Sequence, residues 1–158
     1  MVAWLGKTPV ESFPHPAQAF LREPVFAHFA TLNEDGSPSV STMWVDTDGT
    51  HIILNSPLNT GKVANVKRDP RVAMDVVPQE YPTRALWIRG RVTIFNTDDA
   101  RDHIETMSWK YRGQSYQVRH NEEPRILLYV LPEVIEGAGL EEVELPGFFK
   151  VLRKPGVK

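Results

Sequence analysis

The run Asn55-Ser56-Pro57-Leu58-Asn59-Thr60-Gly61-Lys62-Val63-Ala64-Asn65-Val66-Lys67-Arg68-Asp69-Pro70 decides how this chain reads. It passes from the end of an apolar strand into a short basic helix through amide, hydroxyl and glycine residues. Free backbone N–H groups at such a helix start point outward, and the helix dipole favours negative charge there. Lys62, directly after Gly61, stands in the first turn, where it can give a phosphate a charge-assisted bond of roughly 1.5–3 kcal/mol. Asp69 before Pro70 ends the helix, because the proline ring excludes its predecessor from the α region. Taken alone, the stretch also fits a capped surface helix, with Thr60 or Asn59 as N-cap and Lys62, Lys67 and Arg68 as a solvated face. It is not a nucleoside-triphosphate loop: Ser56 stands where that loop needs glycine, and Val63 where it needs Ser or Thr.

Outward from this run the pattern is one of strands. Residues 25–32 are rich in β-branched and aromatic side chains and end at the turn cluster Asn33-Glu34-Asp35-Gly36-Ser37-Pro38. Strands over 39–46 and 50–55 come next, separated by Thr47-Asp48-Gly49, and the three read as an antiparallel meander. In the second of them Val40, Thr42, Trp44 and Asp46 share one face and Ser39, Ser41, Met43 and Val45 the other. Neither face is purely apolar, which suits either a sheet edge or a barrel wall whose Ser41, Thr42 and backbone line a pocket beside Trp44. Beyond the basic helix, 71–77 and 85–95 read as strands, and Gly90 inside the latter predicts a bulge or bend. Trp87 and Arg89 share a face there and could flank a planar anionic ligand, or be a packed ring beside a solvated charge.

Helices are predicted over 17–22, after a proline-rich start (Pro9, Pro14, Pro16), and over 98–112, with Thr97 as N-cap and Gly113 as terminator. Ala100, Ile104, Met107 and Tyr111 recur at helical spacing, as a core-facing stripe does. Residues 114–123 read as a polar loop, 125–135 as a closing strand, and 146–158 as a tail ordered against a partner.

The 158 residues, with ordinary hydrophobic content, fit a single domain spanning 1–158 with its core at about residues 25–137. A net charge of −2 argues against a nucleic-acid footprint or a polybasic membrane surface, leaving small molecules or a second copy of the chain as partners. The absence of cysteine removes disulfides and thiolate chemistry. No stretch has the length and apolarity of a membrane span, so a soluble, cytoplasmic protein is expected. His15, His28, His51, His103 and His120 lack metal-ligand spacing, and no metal site is expected. Gly137-Ala138-Gly139 is not a dinucleotide fingerprint, and there is no nucleophile elbow. Any catalysis is then better supplied by a bound cofactor than by side chains.

In order and spacing, three segments carry a resemblance. They are Ala30-Thr31-Leu32-Asn33-Glu34-Asp35-Gly36-Ser37-Pro38, Ser41-Thr42-Met43-Trp44, and Gly61-Lys62-Val63-Ala64-Asn65-Val66-Lys67-Arg68-Asp69-Pro70-Arg71-Val72. From about Phe26 to about Gly137 the chain resembles the flavin- and deazaflavin-dependent split β-barrel proteins related to pyridoxamine 5′-phosphate oxidase. The resemblance implies a mainly β fold with flanking helices, a six-stranded antiparallel Greek-key split barrel of the FMN-binding kind. It also implies a homodimer with cofactor sites at the subunit interface. The matching cofactor positions would be Ser41, Thr42, Met43, Leu54, Asn55 and Ser56, with Thr60, Lys62 and Asn65 on the phosphate side. Gly61 starts the phosphate-side helix, Trp44 would help exclude water, and Trp87 and Arg89 would reach the site from the second subunit.

The implied activity is that of an oxidoreductase moving a hydride to or from a small organic substrate, with coenzyme F420 as the cofactor or FMN as its nearest alternative. Lys62, Lys67 and Arg68 would receive the anionic tail of the deazaflavin. No catalytic side chain is expected. The same barrel also admits a non-catalytic flavin carrier or a haem-binding protein, with His28 or His51 as axial ligand. Two features depart from the family. Thr60 stands where many relatives have a basic residue, and the C-terminal segment, with Gly147-Phe148-Phe149-Lys150, lacks the substrate motif of true pyridoxamine phosphate oxidases. Vitamin-B6 oxidation is therefore not expected.

Overall fold

A computed structural model describes residues 4–5, 13, 15–80, 83–117 and 124–140. The 146–158 tail, Pro9 and Pro14 of the proline-rich start, His120, and parts of the loops at 79–84 and 114–123 lie outside the described residues. Six long strands carry the fold: β2 (Phe26–Leu32), β3 (Pro38–Trp44), β5 (Ile52–Pro57), β6 (Arg71–Val77), β7 (Ala85–Asn96) and β8 (Arg125–Ala138). Two-residue strands β1 (Trp4–Leu5) and β4 (Asp46–Thr47) supplement them. Three helices flank the sheet: α1 (His15–Arg22), α2 (Gly61–Arg68) and α3 (Ala100–Arg112).

All pairings are antiparallel, in the order β3-β2-β6-β7-β8-β5-β4, with β1 on β8. Only Val45 separates β3 from β4, so the two ends of this path are one continuous run of chain, and the sheet closes into a barrel. The expected meander is present, β3 pairing with β2 and its continuation β4 with β5, but it is only part of the sheet. β5 pairs along its length with β8 and meets the β3 run only through Asp46 and Thr47. A meander would leave the far side of β5 unpaired, whereas barrel closure pairs both of its sides.

Period-two alternation fills the interior. β2 and β6 bury every second residue, among them Ala27, Phe29, Met74 and Val76, against Leu54, Leu86, Ile88, Leu128 and Val130. Gly90 is required at its position: the β7–β8 register shifts between Arg89 and Gly90, and a Cβ there would stand 2.2 Å from the Leu131 carbonyl oxygen. Helix α2 ends at Arg68, ahead of Asp69-Pro70. α3 begins later than expected, with Asp99 and not Thr97 as N-cap, because Asn96 Oδ1 accepts the Asp99 N–H and draws the chain into its first turn there. It ends where Gly113 takes the left-handed conformation at φ 66°.

α3 is fastened to the barrel at Val45. The Tyr111 hydroxyl accepts the Val45 N–H at 2.9 Å and donates to the Val25 carbonyl, while Lys110 Nζ donates to the carbonyls of Val45 (2.7 Å) and Leu21 (2.8 Å). Val45 is the residue at which the chain leaves β2 for β5, so its ladder partners are replaced by side chains of α3. Ala100 packs with Ile53 and Leu127 on the outer barrel wall, which places the inner side of α3 over the end of β5.

Candidate functional site

Where β3, the end of β5, the start of α2 and the body of α3 meet, a pocket of about 260 Å³ opens. Thr42, Met43 and Trp44 form the β3 wall; Asn55, Ser56 and Pro57 come from β5; Lys62 comes from α2, and Ile104 and Arg112 from α3. Tyr116 and Arg125 complete it. The Trp44 ring stacks on Tyr111, and the Arg112 guanidinium lies 5.0 Å from the Trp44 ring centre.

The phosphate-side helix start has unused donors. Thr60 is the N-cap of α2 by backbone geometry, yet its hydroxyl makes no capping bond. It turns back to Ser56 Oγ (3.1 Å) and the Pro57 carbonyl (3.2 Å), and Ser56 Oγ donates to that same carbonyl at 3.0 Å. The Gly61 and Lys62 amides therefore remain open to an anion, while the Val63 N–H donates to the Thr60 carbonyl at 3.1 Å. Gly61 begins the helix in open space, where a Cβ would meet no atom within 4 Å.

Cations crowd the same place. Burial, reinforced by the nearby charge of Arg125, holds the Lys62 ammonium below its ordinary pKa. Burial likewise depresses Arg125; Tyr116 offsets part of this and the charge of Arg101 adds to it. Among the described residues no carboxylate pairs with Lys62, Arg112 or Arg125. The half-buried like charges of Lys62 and Arg125, without counter-charge, disfavour each other, and a bound anion relieves them.

Arg125 is held by a chain of side chains behind the pocket. Its Nε donates to Asn55 Oδ1 at 2.6 Å, and Asn55 Nδ2 donates to the Ala100 carbonyl at 2.7 Å and faces His103 Nδ1 at 3.2 Å. His103 Nε2 faces Asp46 Oδ2 at 3.2 Å. Burial would raise the Asp46 carboxyl, but the His103 hydrogen bond, the Thr47 N–H and the charge of Lys110 together bring it below its ordinary value.

A second cleft of about 410 Å³ lies on the outer face of the barrel, floored by Ala30, Val40, Ala73 and Val134 and edged by His28, Asp75, Trp87, Arg89 and Glu136. It is mainly apolar, and Val40 is 64% exposed.

Residues 13–137 match the family described as pyridoxamine 5′-phosphate oxidase. The chain belongs to that family. A solved F420 reductase is 27% identical over 79% of this chain and 95% of its own, with a TM-score of 0.65. A conserved hypothetical protein from Mycobacterium tuberculosis is 20% identical, covering 90% of this chain and 94% of its own at a TM-score of 0.66. General Stress Protein 26 from Bacillus anthracis is 12% identical over 78% and 91%, with a TM-score of 0.61; these last two show the shared fold alone. No curated protein matches the sequence. The barrel closed through Val45 is thus the split β-barrel of the pyridoxamine 5′-phosphate oxidase family.

Of the positions expected from the family resemblance, the structure brings Thr42, Met43, Trp44, Asn55, Ser56 and Lys62 into one pocket, with Thr60 and Gly61 at its edge. It does not bring the others. Leu54 is fully buried in the core, because neighbouring strand residues face opposite ways and Asn55 already faces α3. Ser41 pairs with Phe29 on the face opposite Thr42. Asn65 is buried, donating to Thr31 Oγ1 and Asn33 Oδ1 at 3.0 Å each and accepting from Arg68, so it ties α2 to the β2–β3 turn. Arg68 also donates to the Leu32 carbonyl at 2.6 Å, which removes it from the expected tail-binding cluster. Trp87 and Arg89, expected to reach the site from a second subunit, lie in the outer cleft of their own chain.

His51, a candidate axial ligand, has its Nδ1 3.0 Å from Asp48 Oδ2; His28 lies 3.6 Å from Asp75 in the outer cleft. Among the described residues no His, Cys, Asp or Glu cluster forms a metal site, and no helix is long and apolar enough to cross a membrane. Arg112, Tyr116 and Arg125 were not indicated by the resemblance. The available signal was topological: closing the barrel puts Arg125 opposite Pro57, directly before the loop that enters α2.

Proposed function

We propose that the pocket binds the phosphorylated end of a flavin-type cofactor, coenzyme F420 in preference to FMN, and that the protein is an oxidoreductase moving a hydride to or from a small organic substrate. The observation carrying this reading is that Lys62 and Arg125, beside the start of α2 with its open amides, and Arg112 from α3 line one pocket without a carboxylate partner among the described residues. Within that set, the Arg125 guanidinium, the Lys62 ammonium and the open Gly61 and Lys62 amides fit a phosphate. The preference for coenzyme F420 rests on the likeness to an F420 reductase and on the additional positive charge of Arg112 beyond what one phosphate needs.

The bound ring supplies the hydride chemistry. The chain's own residues bind and orient: Lys62 and Arg125 hold the phosphate, Thr42 and the β3 backbone lie along the ring, and Met43 and Trp44 exclude water from that wall. No side chain is assigned a proton-transfer role.

At about 260 Å³ the pocket is smaller than the ~300–1,000 Å³ that encloses a typical small ligand. A second copy would complete it. The outer face of β3 runs without interruption from Val40 in the outer cleft to Thr42 in the pocket, so a copy seated on the cleft borders the cofactor. The cleft carries both signs, Arg89 with Asp75 and Glu136, which suits a two-fold self-complementary surface.

The test is a fluorescence titration of the apo-protein with coenzyme F420 and with FMN, combined with size-exclusion chromatography. Tighter binding of coenzyme F420 is expected; tighter FMN binding reverses the cofactor preference, and binding of neither overturns the reading. Tight binding without reduction of any acceptor supports a carrier in place of an enzyme.

A further inference from the structure

The polarity of the hydrogen-bond chain behind the pocket is set by the chemistry of its two ends. Arg125 has only donors, so the Asn55 atom facing its Nε must be the amide oxygen. The Ala100 carbonyl has only lone pairs, so the atom facing it must be the amide nitrogen. Both ends fix the Asn55 amide the same way. Its NH2 then donates to His103 Nδ1, which must be an unprotonated acceptor, and the imidazole proton of the neutral ring resides on Nε2. Asp46 Oδ2, an acceptor, stands opposite that Nε2. Two independent ends of the network therefore require one tautomer. The donors and acceptors alternate without conflict from Asp46 through His103 and Asn55 to Arg125.

We propose that His103 is a positioning residue for Arg125: held in its Nε2–H tautomer by Asp46, it locks the Asn55 amide and so aims the Arg125 guanidinium at the anion in the pocket. This rests on the anion-binding reading above. His103 does not line the pocket and acts only through Asn55. A rotated Asn55 amide would turn its NH2 to the Arg125 Nε–H and its oxygen to the Ala100 carbonyl, losing both bonds at once, so the lock has one setting. Without His103, the Asn55 NH2 keeps one partner in place of two, so the amide that holds Arg125 Nε is set less firmly, and the further polar contact of Arg125 is to the Tyr116 hydroxyl at 3.4 Å.

The test combines a ligand-free reading with a binding cycle, FMN being the probe. In ¹⁵N NMR of the whole protein at neutral pH, His103 should show the Nε2–H tautomer; the Nδ1–H tautomer overturns the proposal even if no variant folds. The Arg125 Nε–H resonance, assigned by its loss in Arg125→Ala, should move or broaden in His103→Ala. An unchanged resonance overturns the proposal whether or not any cofactor binds. In titrations, Arg125→Ala should weaken FMN binding by about tenfold and His103→Ala by about three- to tenfold, with the double variant no weaker than Arg125→Ala alone, since coupled residues are not additive. A His103→Ala effect that persists in full in the Arg125→Ala background overturns the positioning role while leaving the anion site standing. A wild-type protein that binds neither FMN nor coenzyme F420 overturns the cofactor reading instead, and the NMR arm then decides this one.

Discussion

The Trp44 indole lies parallel to the Tyr111 ring, with 4.9 Å between centroids and 5° between planes. The aromatic wall of the pocket is thus held in place by α3, and the same tyrosine secures the Val45 crossing through its hydroxyl. Replacing Tyr111 by Phe keeps the stack and removes the hydroxyl, leaving the Val45 N–H without its acceptor. The expected cost is about 1–3 kcal/mol of stability, read as a lower urea midpoint, with FMN affinity nearly unchanged. Tyr111→Ala removes the stack as well and should weaken both. Equal affinity losses in the two variants would mean that the hydroxyl, and not the ring, shapes the wall.

Lys62→Ala tests the phosphate assignment most directly. Loss of one charge-assisted bond of about 1.5–3 kcal/mol raises Kd by roughly ten- to a hundredfold for either cofactor. Fold stability should barely change, because burial and Arg125 already make the Lys62 charge uncomfortable in the folded state. Affinity in titration that matches wild type would remove Lys62 from the site.

Asn65 should behave in the opposite way. Its amide joins α2 to Thr31 and Asn33 and carries Arg68. Asn65→Ala leaves those buried partners unsatisfied and should lower stability by about 1–3 kcal/mol in urea denaturation. Cofactor affinity of the folded fraction should stay within about threefold of wild type, a difference of well under 1 kcal/mol. A selective loss of affinity at unchanged stability would restore Asn65 to the binding set.

The contrast between Lys62 and Asn65 shows what the sequence could reveal. Helix boundaries, strand positions and the Gly90 bulge follow from local rules: proline and glycine stops, period-two alternation, and a glycine where no Cβ fits. Which polar residue of a helix faces a ligand is a tertiary question. Asn65 and Lys62 sit within one turn of each other, and only the packing of α2 on the β2–β3 turn separates their roles. Arg125 was unreadable for a related reason: its importance comes from the closure of β8 onto β5, a pairing between segments 70 residues apart at Asn55 and Arg125. Trp87 and Arg89 do share a face, as alternation predicts, and that face lies in the outer cleft, where a second copy would have to sit for them to reach its cofactor.

Lys110 gives the protein a distinctive alkaline profile. Burial lowers its pKa from 10.5 to about 8, with Asp46 opposing part of the shift. Between those two values the unfolded chain holds a proton that the folded chain has released, so unfolding free energy rises with pH there. Lys62, also depressed, adds to the rise. Tyr129, raised by burial and by the charges of Asp99, Asp48 and Asp46, reverses it above its ordinary value of 10.0, since the unfolded state then loses its proton first. Urea midpoints should climb from about pH 8 towards pH 10 in wild type and climb less in Lys110→Met. Identical slopes would mean that Lys110 stays protonated against the Val45 and Leu21 carbonyls throughout.

The outer cleft makes the proposed dimer testable without reference to the cofactor's identity. Val40 and Trp87 are exposed apolar side chains in a face that also carries charges of both signs. Burying them against a second copy contributes about 25 cal/mol per Å² of apolar surface. Introducing Val40→Asp with Trp87→Glu sets acids facing each other across a two-fold axis and should convert the dimer to a monomer in size-exclusion with light scattering. Because both positions are solvent-exposed within one barrel, the far-ultraviolet circular dichroism and the cooperativity of unfolding should persist. If the second copy completes the pocket, the monomeric variant should also bind FMN at least about tenfold more weakly, a loss of about 1.4 kcal/mol, although neither residue lines it. A monomer that keeps full affinity would show the pocket to be self-sufficient in one chain, and a variant that remains dimeric would move the interface to another face of the barrel.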